Sequence, residues 1–209
     1  ARLEMPGWTE PGFDESAWKG AQLMEAPGGK LRNQMKAPAK RVAALEPESI
    51  VKLGEGSYRI ESPEMVSGWI KLKNINQKAG DTIKITYGQR LDTDGSVMEY
   101  GGGDGEIGNW WPHAYLQQDI YTSAGGKNES YEPKFSFKGF EYAQVDGFSG
   151  DLTAADVEIY RVSNSVDIVS EFESSNPLFN RLHKMMRNSM ADNFQGEHCD
   201  PMLEKNGWL

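Results

Sequence analysis

The stretch GWIKLKNINQKAGDTIKITYGQRL, residues 68–91, alternates apolar and polar side chains in two successive runs. The first run places Ile70 and Leu72 on one face, and the second does the same with Ile83 and Ile85. Lysine and threonine side chains occupy the opposite faces. Alternation with a period of two is typical of β-strands that have one buried and one solvated face. We therefore predict two strands here, with these four aliphatic side chains in the core.

Turn residues separate these runs. Lys78-Ala79-Gly80-Asp81 lies between the two strands and predicts a hairpin turn. Asp92-Thr93-Asp94-Gly95 follows the second strand and predicts another turn. Short strands with frequent turns and no helical period between them favour an antiparallel β-sandwich.

A further strand pattern lies in YEPKFSFKGFEYAQVDGF, residues 131–148. Phe135 and Phe137 precede Gly139 at alternate positions, so we expect both phenylalanine rings in the core. A glycine inside such a pattern suggests a bulge or a tight bend. The β texture as a whole extends over about residues 37–162.

The period changes in SSNPLFNRLHKMMRNSMADNF, residues 174–194. Asn176 is a plausible N-cap, and Pro177 suits the first helical position because its missing N–H has no partner there. One amphipathic helix cannot bury its face alone, so it needs the sandwich or further helices. The apolar residues recur at helical spacing: Leu178, Phe179, Leu182, Met185, Met186, Met190 and Phe194.

The composition limits the classes of partner. The 209 residues carry a net charge of -9, and an acidic surface repels phosphate backbones, so we expect no nucleic-acid partner. No run approaches the ~18 apolar residues of a membrane helix, so we expect no membrane partner. Cys199 is the single cysteine and leaves the cellular compartment open. With only His198 beside it, we expect neither a thiol nucleophile nor a metal site there.

The stretch GDGEIG, residues 103–108, matches the pattern G-x-G-x-x-G. Dinucleotide binding requires a strand before this pattern and a helix after it. Here Pro112 falls where the helix would run, so we interpret the stretch as a surface loop and predict no cofactor.

Large aromatic rings follow this loop in NWWPHAY, residues 109–115. Trp110, Trp111 and Tyr115 offer flat faces that can stack on the apolar faces of sugars, with His113 beside them as a polar group. The alternative is that these rings fasten the loop to the sandwich, since large aromatic side chains are usually buried. His113 has no second His or Cys at ligand spacing, so we predict no metal site.

The stretch HCDPMLEKNGWL, residues 198–209, carries two carboxylates four positions apart, Asp200 and Glu204. Asp200 is a good N-cap, Pro201 suits the first helical position, and Glu204 favours the positive end of the helix dipole. The same arrangement puts a carboxylate at the end of an element, where it can project into a cleft. From the residues alone, a helix start and half of an active site both remain open.

Taken in order, several segments resemble the bacterial-type α-L-rhamnosidases, which are inverting glycoside hydrolases. The last segment resembles the catalytic-domain motif of that family, which reads Asp-Cys-Pro-x-Arg-Glu-x-x-Gly-Trp. The segments that carry the resemblance are GFDESAWKGA, SPEMVSGWIKLK, AGDTIKITYGQRLDTDGS, QQDIYTSAGGKNESYEPKFSFKGFEYAQVDGF, FESSNPLFNRLHKMMRNSMADNF and CDPMLEKNGWL.

The resemblance implies a mainly β fold. A jelly-roll-like antiparallel β-sandwich would occupy residues 37–162, after an upstream β domain whose end and linker are residues 1–36. Residues 163–209 would begin a truncated α/α barrel of six helical hairpins. The chain would then be a fragment that lacks the rest of its catalytic domain.

The resemblance also implies roles for residues. Glu204 falls on the general acid of the family, and Trp208 on a tryptophan that lines the rhamnose pocket. Without a gap, Cys199 falls where the family has its pocket Asp, and Asp200 where it has Cys, so Asp200 takes the pocket role only by a local swap. Leu203 replaces the usual Arg. The catalytic base lies outside the chain in the layout of the family.

We therefore expect the parent protein to cleave terminal α-L-rhamnosyl residues with inversion, and the isolated chain to be inactive. The expected partner is a rhamnose-containing glycan or glycoside, with Trp110, Trp111 and His113 among its contacts. The alternatives are a non-catalytic carbohydrate-binding β-sandwich, in which Asp200 only caps a helix, and a related hydrolase for another sugar.

Overall fold

The computed structural model of the chain describes Met5, residues 7–98 and residues 117–196. These residues form eight strands, one short 3-10 turn (Ala154–Asp156) and one α-helix. The elements are β1 (Ala39–Leu45), β2 (Ser49–Gly54), β3 (Ser57–Ile75), β4 (Thr82–Gly88), β5 (Gln118–Thr122), β6 (Glu129–Tyr131), β7 (Lys138–Asp146), β8 (Val157–Asn164) and α1 (Pro177–Asp192).

All eight strands belong to one sheet. Its order is β1-β8-β3-β7-β4-β5, with β2 and β6 also paired to β3, and every pairing is antiparallel. The sheet curls into a half-barrel, which allows a single sheet to cover its own apolar face. The predicted antiparallel β fold followed by one helix is confirmed.

The core takes its side chains mainly from β3, β4, β7 and β8. Ile70, Leu72, Ile83 and Ile85 have no exposed surface, so the predicted alternation is confirmed. Full burial of one such side chain stabilises the fold by about 1.5–3 kcal/mol. The other members of the core cluster are Tyr58, Ile60, Val66, Ile75, Tyr87, Phe140, Ala143, Val145, Phe148, Leu152, Val157 and Ile159.

The predicted burial of Phe135 is wrong, since its relative exposure is 106%. Strand β7 begins only at Lys138, so Phe135 and Phe137 lie in the loop before it, where strand alternation does not apply. Phe135 has a φ of 63°, a left-handed conformation that interrupts any extended run. Phe137 is half-buried.

The irregularity that we expected at Gly139 lies on the facing strand. Glu61 pairs with Tyr142 and Val66 pairs with Phe140. Residues 62–65 of β3 therefore lie opposite the single residue 141 of β7. This surplus is a bulge in β3, and Gly139 itself stays in register.

The turn predicted at Lys78–Asp81 forms, and the Asp81 N–H donates to the Lys78 carbonyl at 3.1 Å. The strands on either side of it are not neighbours, however, because β7 lies between β3 and β4. The second turn does close locally: the Gly95 N–H donates to the Asp92 carbonyl at 2.9 Å, next to an antiparallel bridge between Leu91 and Val97.

Helix α1 begins as predicted. The Asn176 side chain accepts a hydrogen bond from the Leu178 N–H at 3.0 Å, and Pro177 is the first helical residue. The apolar stripe is exposed along its whole length, and Asp192 is the one buried residue of the helix. No helix in the described residues is long and apolar enough to cross a membrane.

Truncation of a core side chain should be far more costly than truncation of Phe135. We expect Ile85→Ala to lower the free energy of unfolding by about 2–5 kcal/mol, because it removes fully buried methyl groups and leaves a cavity. Phe135→Ala removes a larger but exposed side chain and should change it by less than about 0.5 kcal/mol. Urea denaturation followed by tryptophan fluorescence measures both. Similar losses in the two variants would contradict the placement of Phe135.

Candidate functional site

The side chains predicted for sugar binding and catalysis lie outside the described residues, in segments 99–116 and 197–209. They are Trp110, Trp111, His113, Asp200, Glu204 and Trp208. The structure does describe the residues that flank these segments: Met98 and Gln117 on either side of the first, and Gly196 before the second. We call the described residues that hold these flanking residues to the sheet, together with their neighbouring ion pairs, the frame of the candidate site.

The chain is firmly held where it leaves the first segment. The side-chain amide of Gln117 pairs with the backbone of Gly139 in β7, donating to its carbonyl at 3.0 Å and accepting from its N–H at 2.7 Å. The Gln117 carbonyl accepts from the Tyr87 N–H at 2.9 Å. Gln117 is therefore hydrogen-bonded to β7 through its side chain and to β4 through its backbone carbonyl.

A buried ion pair lies next to this attachment. Lys138 at the start of β7 forms a salt bridge with Asp119 of β5, and their side chains are only 8% and 9% exposed. Lys138 also donates to Ser136 Oγ at 3.0 Å, while the Tyr87 hydroxyl donates to the second carboxylate oxygen of Asp119 at 3.0 Å. Both oxygens of Asp119 are therefore engaged by neighbouring side chains.

The cluster shifts the titration of its tyrosines. Burial raises the pKa of Tyr87 well above its usual value, and the nearby Asp119 charge raises it further. Burial, followed by the Asp119 charge, raises the pKa of Tyr131 to about 12. Both phenols therefore stay neutral near pH 7, and Tyr87 remains a hydrogen-bond donor.

The chain is also held just before the second segment, at the end of β8. The Asn164 N–H donates to the Phe194 carbonyl at 2.7 Å, and its side-chain oxygen accepts from the Gly196 N–H at 2.7 Å. The Ser163 hydroxyl donates to the same Phe194 carbonyl at 3.1 Å. Glu204 follows Gly196 a short way along the chain.

The attachment of Gln117 lies at the same level of the sheet as a contact to Asp192, the last residue of α1. Gly139, which binds Gln117, is opposite Ser67 of β3. The N–H and C=O of Gly139 both bind Gln117, so Gly139 and Ser67 are a pair without hydrogen bonds between them. The backbone groups of Ser67 therefore point away from β7, and the Ser67 N–H donates to the Asp192 carboxylate at 2.9 Å. The neighbouring strands β7 and β3 thus carry, at one level, a contact to Gln117 and a contact to the end of α1.

The buried charges of this frame are suited to holding the chain in place. Asp119 pairs with Lys138, and Asp192 pairs with Arg161 at 2.9 Å. A carboxylate whose oxygens are already paired is poorly placed to exchange a proton with a substrate. Among residues 5, 7–98 and 117–196, no group of three or more His, Cys, Asp or Glu side chains is arranged to hold a metal ion.

Comparison with protein-family models identifies this sheet. Residues 52–163 match the bacterial alpha-L-rhamnosidase concanavalin-like domain. The chain belongs to the bacterial α-L-rhamnosidase family. Residues 1–43 match the N-terminal domain of α-L-rhamnosidases, and residues 167–209 match the bacterial α-L-rhamnosidase 6 hairpin glycosidase domain. The family resemblance noted in the sequence is thus confirmed.

Individual α-L-rhamnosidases agree with this assignment. The chain is 32% identical over its whole length to an α-L-rhamnosidase from Formosa agariphila. The structure of the Dictyoglumus thermophilum α-L-rhamnosidase superposes with a TM-score of 0.85 at 29% identity over 97% of the chain. The Streptomyces avermitilis α-L-rhamnosidase, solved in complex with L-rhamnose, gives 0.81 at 28% identity over 97% of the chain.

The chain spans about a fifth of the length of these family members. It corresponds to 21% of the Formosa agariphila protein, and to 22% and 19% of the two solved chains. The structural match therefore concerns the sheet and one following helix of much longer rhamnosidases.

The ionic residues of the frame were not predicted from the sequence, although one of them carried a usable signal. Alternation along β8 puts Arg161 on the same face as Val157 and Ile159, which are both buried. A charged residue on an otherwise apolar strand face indicates a buried ion pair. Asp119 and Lys138 carry no comparable local signal, because their pairing depends on the distant contact of β4 with both β5 and β7.

Removal of one member of the buried Lys138–Asp119 pair should be strongly destabilising. We expect Asp119→Ala to lower the free energy of unfolding by about 3–5 kcal/mol, because it leaves the Lys138 charge buried without a partner. The double replacement Lys138→Met/Asp119→Leu should cost clearly less, since it leaves no unpaired charge. Chemical denaturation of the variants measures the difference.

Asp151→Ala serves as the control, because it breaks an exposed ion pair: the side chains of Lys52 and Asp151 are 55% and 85% exposed. The Tyr58 hydroxyl, which also donates to Asp151, keeps the Gly150 carbonyl as an acceptor at 2.8 Å. We expect no measurable change there. If the double variant were less stable than Asp119→Ala alone, the buried pair would not be the source of the effect.

Proposed function

We propose that the longer protein to which this chain corresponds hydrolyses terminal α-L-rhamnosyl residues of glycans or glycosides, with inversion. The observation that carries the proposal is the match of residues 167–209 to the 6 hairpin glycosidase domain, since that range contains Glu204. The solved relative from Streptomyces avermitilis holds L-rhamnose, which supports rhamnose as the sugar.

Glu204 is the proposed general acid. An inverting glycosidase uses one protonated carboxyl group at the leaving oxygen and one carboxylate that activates water, about 6.5–9.5 Å apart. The acid must keep its proton near neutral pH, which requires burial or a neighbouring negative charge. Asp200, four positions away, is a candidate for that neighbouring charge. The base comes from a part of the protein beyond this chain.

The aromatic residues are proposed to form the sugar-binding surface. Trp208 lines the rhamnose pocket, and Trp110, Trp111 and His113 contribute further sugar contacts from segment 99–116. The frame supports a shared role, because Gln117 and Asp192 attach the chain to opposite sides of one pair of sheet residues. Leu203 stands where the family usually has Arg, so this position of the motif carries an apolar side chain in place of a charged one.

Helix α1 is proposed to be the first helix of the helical catalytic domain. Its apolar stripe is exposed over the described residues, whereas an amphipathic helix of a folded protein buries that face. The stripe offers the surface on which further helices of the same domain would pack. In this arrangement the sheet supports the catalytic domain at one end of α1.

Loss of the carboxyl group of Glu204 should impair the chemical step. In the full-length protein we expect Glu204→Gln to lower kcat about 10²–10⁴-fold on a rhamnose disaccharide, because the leaving oxygen then receives no proton. The loss should be much smaller on an aryl α-L-rhamnoside with a good leaving group. Steady-state kinetics on both substrates measure this.

The matched control is Glu173→Gln, the same chemical change at an exposed residue, which should leave kcat on both substrates as it was. A helix-dipole role for Glu204 would contribute only about 0.3–1 kcal/mol to stability and would leave kcat nearly intact. Near-wild-type kcat of Glu204→Gln on the disaccharide would therefore refute the assignment.

The isolated chain should hydrolyse nothing. It contains the proposed acid but not the base, and it lacks most of the helical domain that would exclude water from a pocket. We expect the 209-residue chain to release chromophore from an aryl α-L-rhamnoside no faster than buffer does, while the full-length protein turns the substrate over. Turnover by the purified chain would contradict this proposal, and a lack of turnover by both would favour a carbohydrate-binding module.

A further inference from the structure

Helix α1 is attached to the sheet through charged and polar groups. The apolar stripe of the helix is exposed, and the one buried residue of the helix is Asp192, at its last position. The hydrogen bonds of α1 with β3 and β8 come from Asn188 and Asp192, near this end of the helix. The orientation of α1 relative to the sheet therefore depends on a small set of ionic contacts.

Arg161 of β8 is the centre of these contacts. Its Nε donates to one oxygen of Asp192 at 2.9 Å, and Nη2 lies 3.5 Å from the other. Nη1 donates to Glu64 at 2.8 Å, and Nη2 to the Met65 carbonyl at 2.8 Å. The Arg161 side chain is only 7% exposed and that of Asp192 only 4%. One guanidinium thus joins β8, β3 and the end of α1.

Glu64 extends the same network along the helix. It lies in the bulge of β3, where the strand departs from regular pairing. Its second oxygen accepts from Asn188 at 2.6 Å and lies 3.6 Å from the Lys184 ammonium. Lys184 and Asn188 are one helical turn apart, so Glu64 contacts α1 along the face that leads to Asp192.

The charges of this cluster depend on Arg161. Burial raises the pKa of Asp192, against the lowering effect of the Arg161 charge. Burial also acts to raise the pKa of Glu64, but the hydrogen bond and charge of Arg161 and its other partners outweigh it, so that pKa lies below its usual value. Without Arg161, two carboxylates would face each other in a poorly solvated space, and the end of α1 would be repelled from the sheet.

The cluster lies directly before the segment that carries Glu204. Asp192 ends α1, and the next residues are bound to the end of β8, where Asn164 holds Phe194 and Gly196. The residues of β8 that hold this stretch follow Arg161 in the same strand. Arg161 and the end of its strand thus hold the described residues that directly precede segment 197–209.

We infer that Arg161 is a positioning residue for the reaction: by clamping Asp192 and Glu64, it aims the segment that bears Glu204 at the leaving oxygen of the substrate. This inference rests on the proposed function, with Glu204 as general acid. Arg161 itself is buried among protein groups and does not touch the substrate in this role. A displacement of about 1 Å of a reacting group can cost about 10²-fold in rate, so a loosened clamp has a kinetic consequence.

The test compares leaving groups in the full-length protein. We expect Arg161→Gln to lower kcat on a rhamnose disaccharide at least about 10-fold more than on an activated aryl α-L-rhamnoside, because only the disaccharide needs a well-placed acid. KM should change little on either substrate. Arg161→Lys keeps the charge but cannot reach Asp192, Glu64 and the Met65 carbonyl together, so its effect should be intermediate.

Two further variants keep the test decisive. Arg41→Gln removes an arginine outside the Arg161 cluster, whose side chain is 49% exposed and whose partner Glu132 is 27% exposed, so kcat on neither substrate should be affected. Asp192→Asn keeps the size of the side chain while it weakens the clamp, and should show the same preference for the activated substrate if Arg161→Gln does not fold.

The outcomes separate this inference from the proposed function. A purely structural role for Arg161 lowers the active fraction, so kcat falls by the same factor on both substrates, and that result or unchanged kcat would overturn the inference. If Glu204→Gln has no effect on the disaccharide, the proposed function fails first. If Glu204→Gln shows the selective loss while Arg161→Gln and Asp192→Asn do not, only the positioning role fails.

Discussion

The backbone pairing of β3 is the constraint on which the rest of the structure depends. This 19-residue strand pairs with β2 and β7 along its first half, and with β7, β8 and β6 further along. Buried N–H and C=O groups must find partners, so a long buried strand commits other parts of the chain to lie beside it. The remaining strands reach the sheet only through these neighbours, since β1 pairs with β8, and β4 and β5 join through β7.

The bulge of β3 links the fold to the frame of the candidate site. Regular pairing with β7 stops at Glu61 and resumes at Val66, which frees Glu64 and the Met65 carbonyl to contact Arg161. Directly after the bulge, the Ser67 N–H turns to the Asp192 carboxylate. One local departure from strand geometry therefore places polar groups of β3 where they contact Arg161 and the helix. Bulges are common where a sheet must redirect its side chains near a functional site.

Apolar and ionic contacts have different tasks in this chain. The core cluster of the sheet is aliphatic and aromatic, and its burial supplies most of the stabilisation. Buried ion pairs occur at the places where the described chain meets segments 99–116 and 197–209, with Lys138 beside the first and Arg161 beside the second. A buried ion pair adds little net stability but tolerates only one geometry. It is therefore suited to hold a chain segment in a defined position.

Local pattern alone determined the strand faces and the start of the helix. Ile70, Leu72, Ile83 and Ile85 are buried as the alternation predicted, and Asn176 caps α1, because side-chain direction and capping depend on residues close in sequence. The assignment of a role to Glu204 came from the resemblance of its motif to the family, since local chemistry fits a helix start equally well.

Only the tertiary structure decided which strands are neighbours and which charges are buried. The sequence pattern placed β3 and β4 in one hairpin, but β7 pairs with both and separates them. Phe135 followed the apolar alternation and is nevertheless exposed, because the strand begins after it. The clamp of Arg161 on Asp192 joins residues 31 positions apart. Such contacts form only when segments that are distant in sequence come together. The pairing and burial energies that favour them depend on both segments and cannot be read from either one alone.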